Sequence, residues 1–217
     1  QLSDPSILHF DAFVNNTWIK SQSNQHFEVI GNPIPNSPPL GSLRYPTNNK
    51  QTDPGTSLPW ALIPTCTTAD TDHAVVSAHT AFLSFRHTTA HYRSQLLTAW
   101  DSLIRTHKTD LAKIITHETG KPLAEALGEI DYATSFTRWF SGEAERVSGT
   151  ISSAAVPGRR VLTIKQPIGV AAALVPWNFP VAMVLRKVAA AIAAGCTMVV
   201  KPSPESPVSA LAHRTLR

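Results

Sequence analysis

Hydrophobic and polar positions change their period several times along this chain, and each change marks an element. Phe13-Val14-Asn15-Asn16-Thr17-Trp18-Ile19 reads as two short strands around an Asn-rich turn, since Asn tolerates positive φ and supplies the local hydrogen bonds of such a turn. Phe27-Glu28-Val29-Ile30 predicts a further strand. Then Pro33, Pro35, Pro38, Pro39, Pro46, Pro54, Pro59 and Pro64 interrupt every period. The stretch 33–64 is therefore read as a long, mobile insertion.

From Thr68 the spacing becomes helical. Asp70 is read as the N-cap, with Ala74, Val75, Ala78, Ala81 and Phe82 on one face. A second helix carries Leu96, Leu97, Trp100, Leu103 and Ile104. A third runs through Leu111, Ile114 and Ile115 and stops at Gly120, with Pro122 starting the next. That fourth helix reaches about Val147, and its stripe of Tyr132, Phe136, Trp139 and Phe140 reads as core packing.

Residues 150–168 predict extended structure with a turn at Pro157-Gly158, and Arg160 to Lys165 alternates like a half-exposed strand. Gly169 to Val175 is a continuous apolar strand of the kind parallel sheets bury on both faces. Pro180 to Ala194 is an Ala-rich helix ended by Gly195, Thr197 to Val200 a second buried strand, and Ser206 begins another helix. Strand, helix and strand in this order make a βαβ unit, so the fold class is α/β.

Composition narrows the function. Hydrophobic residues at 42% and charged residues at 16% fit a globular chain. The net charge of +4 is spread without a Lys/Arg block, so no nucleic-acid partner is expected. No apolar run reaches transmembrane length and no signal peptide is visible at the start, so no membrane partner is expected either. Cys66 and Cys196 cannot build a disulfide framework and fit a reducing compartment. Nine histidines without paired spacing predict no metal site.

The remaining chemistry lies at the two strand ends, where open α/β sheets bind ligands. The first ends in Pro176-Trp177-Asn178-Phe179-Pro180, the second in Lys201-Pro202-Ser203-Pro204-Glu205. An Asn amide can donate to a developing oxyanion, worth about 3 kcal/mol in comparable sites. A Lys can hold sugar hydroxyls or phosphate oxygens. The plainer alternative stands beside this: Asn178 caps the helix and Lys201 is solvated.

The Pro176–Pro180 run, together with Ala194-Gly195-Cys196-Thr197-Met198-Val199-Val200-Lys201-Pro202-Ser203, resembles the NAD(P)-dependent aldehyde dehydrogenase superfamily. Glu118-Thr119-Gly120-Lys121-Pro122, Glu125, Glu129 and Arg93 fit the same family's helical region. Within it the chain is most similar to succinate-semialdehyde dehydrogenases, on the Arg186-Lys187 pair. The resemblance implies an incomplete Rossmann-like nucleotide-binding domain, with N-terminal strands, the insertion and helices over 1–149. An extended oligomerisation-type segment covers 150–166, and a cut-short βαβ unit covers 167–217. It covers nearly the whole chain except residues 36–60, where the family has a short turn.

The resemblance also implies roles. Asn178 would stabilise the oxyanion, and Arg186 would bind a distal substrate carboxylate through its guanidinium fork. A solvated Arg186 is the alternative. Trp177, Lys201, Pro202, Ser203, Pro204 and Glu205 would contact NAD or NADP, chiefly at the adenosine ribose. NAD-preferring relatives carry Glu where this chain has Pro204, with Glu205 one position later, so cofactor preference stays open. The nucleophilic Cys, the base Glu and the glycine-rich turn of the family have no counterpart here. The chain alone is therefore expected to be inactive toward a small aldehyde. A non-catalytic protein pairing with a full-length paralogue, in a homo- or hetero-oligomer, is the second reading, and a truncated gene model the third. The cysteines fit the cytoplasm, while the non-Met start leaves room for a removed mitochondrial transit peptide.

Overall fold

In the computed structural model, residues 2–30 and 59–215 are described. Asn15 and Asn16 both take positive φ, 50° and 59°, and turn β1 (Ala12–Val14) back onto β2 (Thr17–Ile19). The Asn-rich turn is thus a hairpin, as its side chains require. Strand β3 (His26–Ile30) pairs antiparallel with β4 (Pro59–Pro64).

β4 corrects part of the insertion. Residues 59–64 are a strand whose prolines stand at its two ends, where a missing N–H is tolerated. Ala61 and Ile63 are buried with Val29 in the main core. Residues 31–58, with the other six prolines of that stretch, lie outside the described residues.

Helix α1 (Thr68–Phe85) opens on a capping box: Thr67 is the N-cap and Asp70 is the third helical residue that answers it. Asp70 is thus not the N-cap. Its carboxylate also accepts from Ser21 Oγ at 2.7 Å and Gln22 N at 3.1 Å, tying the N-terminal strands to the helix. Helix α2 (Ala90–Thr106) buries Leu97 and Ile104, and α3 (Lys108–Thr119) buries Leu111, Ile114 and Ile115. Gly120 ends α3 in the left-handed region at φ 72°.

Helix α4 (Leu123–Ala144) ends short of Val147. Its buried face is Ala126, Glu129, Ile130, Ala133, Thr134 and Thr137, of which Ala126, Ala133, Thr134 and Thr137 are small enough to let α2 and α5 approach. Only part of the aromatic stripe packs as core: Phe140 lies against the cluster of Leu97, Ala144, Ala189 and Ala193 and Phe136 is half-buried, whereas Trp139 is 65% exposed and Tyr132 is exposed too. Strands β5 (Thr150–Ser153) and β6 (Arg160–Thr163) form a hairpin, with Gly158 at φ 76° between them. All eight strand residues are exposed, so the half-buried alternation predicted for β6 is absent.

β7 (Val170–Leu174) and β8 (Thr197–Lys201) pair in parallel around α5 (Pro180–Ala194), followed by α6 (Pro207–Thr215). The βαβ unit is as predicted, but the burial of its strands is not: β8 is half-buried up to the exposed Lys201, and β7 is not covered on both faces. Ala173 is buried, whereas Leu174 is 71% exposed and the preceding Ile168 91% exposed. The main core joins α3, α4, α5 and α6 over β3 and β4. Among the described residues no helix is long and apolar enough to cross a membrane.

Candidate functional site

The two parallel strands end level. Leu174 pairs with Lys201 in register, and Val175 N donates to the Lys201 carbonyl at 3.2 Å. The loops after them therefore start side by side. They are joined again further on, where Ser206 Oγ donates to the Trp177 carbonyl at 3.4 Å. Trp177 and Asn178 on the first loop, and Lys201, Pro204 and Glu205 on the second, are exposed; Pro202 and Ser203 are half-buried.

Asn178 does not cap α5. The N-cap is Phe179, which makes no side-chain cap bond. A residue from another helix does that work: Glu129 Oε1 accepts from Val181 N at 3.0 Å and Ala182 N at 3.3 Å. A carboxylate there satisfies orphan amides and complements the positive end of the helix. The other oxygen of Glu129 takes a hydrogen bond from Lys121 Nζ at 2.5 Å. That same Nζ donates to the Asn178 carbonyl at 2.8 Å and lies 4.2 Å from the Phe179 ring centroid.

A parallel arrangement closes α6. Glu118 accepts from Val208 N at 2.6 Å and Ser209 N at 2.7 Å. Burial pushes its carboxyl up to about 7, against the downward pull of the Ser209 and Val208 hydrogen bonds. Glu118, Lys121 and Glu129 were visible in the sequence only as parts of a resemblance. The available signal was an acidic residue set inside the apolar face Ala126–Ile130–Ala133, which demands a buried partner.

Arg186 is exposed on α5, its Cζ 5.8 Å from the Phe136 ring centroid. Phe136 meets Tyr132 edge-on at 4.8 Å, and Tyr132 meets Phe179 at 6.4 Å. Two of the side chains read as core, Tyr132 and Phe136, thus join Phe179 in an aromatic patch between Arg186 and the Asn178 corner. On the other loop Lys201 Nζ lies 3.5 Å from the Pro202 carbonyl, and Ser203 Oγ donates to Glu205 Oε2.

This donor set suits the adenosine end of a dinucleotide: an ammonium, a hydroxyl and a carboxylate on one exposed loop can each bond a ribose hydroxyl. The helix ends do not suit a pyrophosphate. In doubly wound folds that group sits on a helix N-terminus, but here Glu129 and Glu118 already occupy those of α5 and α6.

Neither cysteine lies on the two strand-end loops. Cys196 is buried at the amino end of β8, the opposite end of the strand from Lys201. Cys66 is on the surface ahead of α1, its thiol pushed up by desolvation and by the Asp70 carboxylate. Among the described residues no three metal-ligating side chains gather.

The profile of the aldehyde dehydrogenase family matches residues 45–216. A 3-sulfolactaldehyde dehydrogenase of Pseudomonas putida is 41% identical over 212 residues, which are 98% of this chain and 39% of that protein. The mitochondrial succinate-semialdehyde dehydrogenase of Homo sapiens is 51% identical over 160 residues, 74% of this chain and 30% of that one. The crystal structure of a succinate-semialdehyde dehydrogenase from Burkholderia pseudomallei superposes with a TM-score of 0.87 at 40% identity, covering 99% of this chain and 40% of its own. The chain thus spans about two fifths of the length of such relatives.

Proposed function

This chain belongs to the aldehyde dehydrogenase family, and we propose that it is the amino-terminal portion of an enzyme that oxidises succinate semialdehyde, or a similar aldehyde with a distal carboxylate, to the acid with NAD(P)+. The observation that carries this reading is the pairing of the two loops at the carboxyl ends of β7 and β8, with Asn178 on one and Lys201 and Ser203 on the other.

In this reading Asn178 donates its side-chain amide to the oxygen that becomes negative when a thiolate adds to the aldehyde carbon. That interaction strengthens as charge develops, so it lowers the barrier more than it tightens binding. Arg186 takes the substrate's far carboxylate in a bidentate pair, and the patch of Phe179, Tyr132 and Phe136 flanks the apolar stem. Lys201 and Ser203 hold the adenosine ribose of the cofactor, which when bound supplies the hydride acceptor. Pro204 has no N–H and no side-chain acceptor, so a second ribose contact falls to Glu205, already bonded to Ser203.

The thiolate, the base that activates the deacylating water and the pyrophosphate site belong to polypeptide beyond these residues. The 217-residue chain alone therefore turns over no aldehyde. Incubation with succinate semialdehyde and NAD+ or NADP+ tests this. No reduced cofactor is expected; turnover abolished by alkylating Cys66 or Cys196 would overturn the reading.

One observation favours a second role, association with another copy or a full-length paralogue. Both strands of the β5–β6 hairpin are exposed along their whole length, and a two-stranded ribbon without a core is marginal by itself.

A further inference from the structure

We propose that Lys121 and Glu129 form a positioning pair for the Asn178–Ala182 corner, Lys121 holding its carbonyl side and Glu129 its amide side. The corner must leave β7, expose Asn178 and enter α5 within a few residues. It does so without a capping side chain of its own, since Phe179 makes no cap bond. Two opposite charges from outside the segment replace it. The Glu129 side chain is fully buried and that of Lys121 is 14% exposed, so this half-buried ion pair is screened less than a surface pair.

The geometry is that of a clamp. Lys121 Nζ reaches the Asn178 carbonyl, the Phe179 ring and Glu129 at once. Glu129 reaches the two amides that follow Pro180. Lys121 is itself fixed by the turn after α3, where Gly120 is left-handed and Lys121 N donates to Thr119 Oγ1 at 3.3 Å. Losing either partner frees Asn178 to move relative to α5, and losing Lys121 also leaves Glu129 as a buried charge without its counter-ion. Lys121 and Glu129 are thus positioning residues, acting through the backbone of the residue assigned to the oxyanion. The catalytic consequence rests on that assignment; the clamp itself does not.

The test is amide exchange and the Asn178 side-chain NH2 resonances of the 217-residue chain, in wild type, Lys121→Met, Lys121→Arg and Glu129→Gln. Lys121→Met is expected to speed exchange at Val181 and Ala182 by about tenfold or more. It should shift the Asn178 side-chain signals while leaving the β3–β4 ladder amides within about twofold. Lys121→Arg should restore most of the protection, because its fork can span the same carbonyl and carboxylate. Unchanged protection in Lys121→Met, or loss spread equally over β3–β4, would overturn the proposal, as would failure of Lys121→Arg to restore it. Should Glu129→Gln not fold, the two Lys121 variants decide alone. Aldehyde turnover and cofactor binding bear on the family reading and leave this readout untouched.

Discussion

The carboxylate of Glu118 on α3 sits on the amino terminus of α6, with Oε2 2.7 Å from the amide of Ser209, ninety-one residues later in the chain. One buried acid thereby joins the helical region to the helix that follows the βαβ unit. The same device recurs at α5, where Glu129 meets Val181.

The Glu118 contact makes stability depend on pH. Burial raises its carboxyl from the ordinary 4.5 to about 7. A raised acid holds its proton more tightly in the folded state, so its stabilising contribution is fully present below pH 4.5. It is lost as pH rises through about 7. The span corresponds to about 3 kcal/mol. Urea titrations across this window should show wild-type stability declining relative to Glu118→Gln. Parallel curves would refute the assignment. Glu118→Ala, which leaves two helix amides unpaired, should cost about 2–3 kcal/mol.

Gly195 is predicted to be irreplaceable. Its φ is +83°, and a Cβ there would lie 2.9 Å from Pro167 Cγ and 3.5 Å from Arg93 Nη1. The distance to Arg93, which is held by bonds from its Nε to the Ala193 carbonyl at 3.0 Å and from its Nη1 to the Thr88 carbonyl, is ordinary contact, so the Pro167 ring is what must shift. Gly195→Ala should lower unfolding free energy by about 2–3 kcal/mol, from left-handed strain plus crowding. A loss below about 0.5 kcal/mol, the range of an ordinary surface change, would show that the corner yields.

The hairpin prediction concerns association. Ile151 and Leu162 are cross-strand partners, 72% and 69% exposed, an apolar pair facing solvent. If copies associate through this ribbon, the wild-type chain elutes from size-exclusion chromatography above monomer size. Ile151→Asp with Leu162→Asp should shift it to monomer with an unchanged circular dichroism spectrum. A wild-type chain that is already monomeric at micromolar concentration contradicts this role.

What could be read from sequence was local. Asn15-Asn16, Gly120 and Gly195 announce turns because their backbone freedom is a property of the residue itself. The βαβ order and the two strand-end loops were legible from the apolar runs that bound them, which are also local. The contacts that position the site were not. Glu129 finds its amides 52 residues away, Glu118 about 90, and Arg93 its carbonyl 100 away, and no periodicity encodes such distances. β4 was hidden because its bounding prolines looked like the rest of a breaker-rich run. The aromatic stripe of α4 misled because hydrophobic spacing cannot say which face a neighbour covers. The small side chains Ala126, Ala133 and Thr137 took the helix contact, and Tyr132 and Trp139 were left outside while Phe140 packed against the second cluster.

The central claim, that these residues are the amino-terminal part of a longer aldehyde dehydrogenase, is tested most directly by sequencing the transcript beyond the codon for Arg217. The account predicts an open frame that continues into a glycine-rich turn, a Glu and a Cys nucleophile, bringing the product to about the length of its relatives. An in-frame stop immediately after Arg217 in the mature transcript would contradict it.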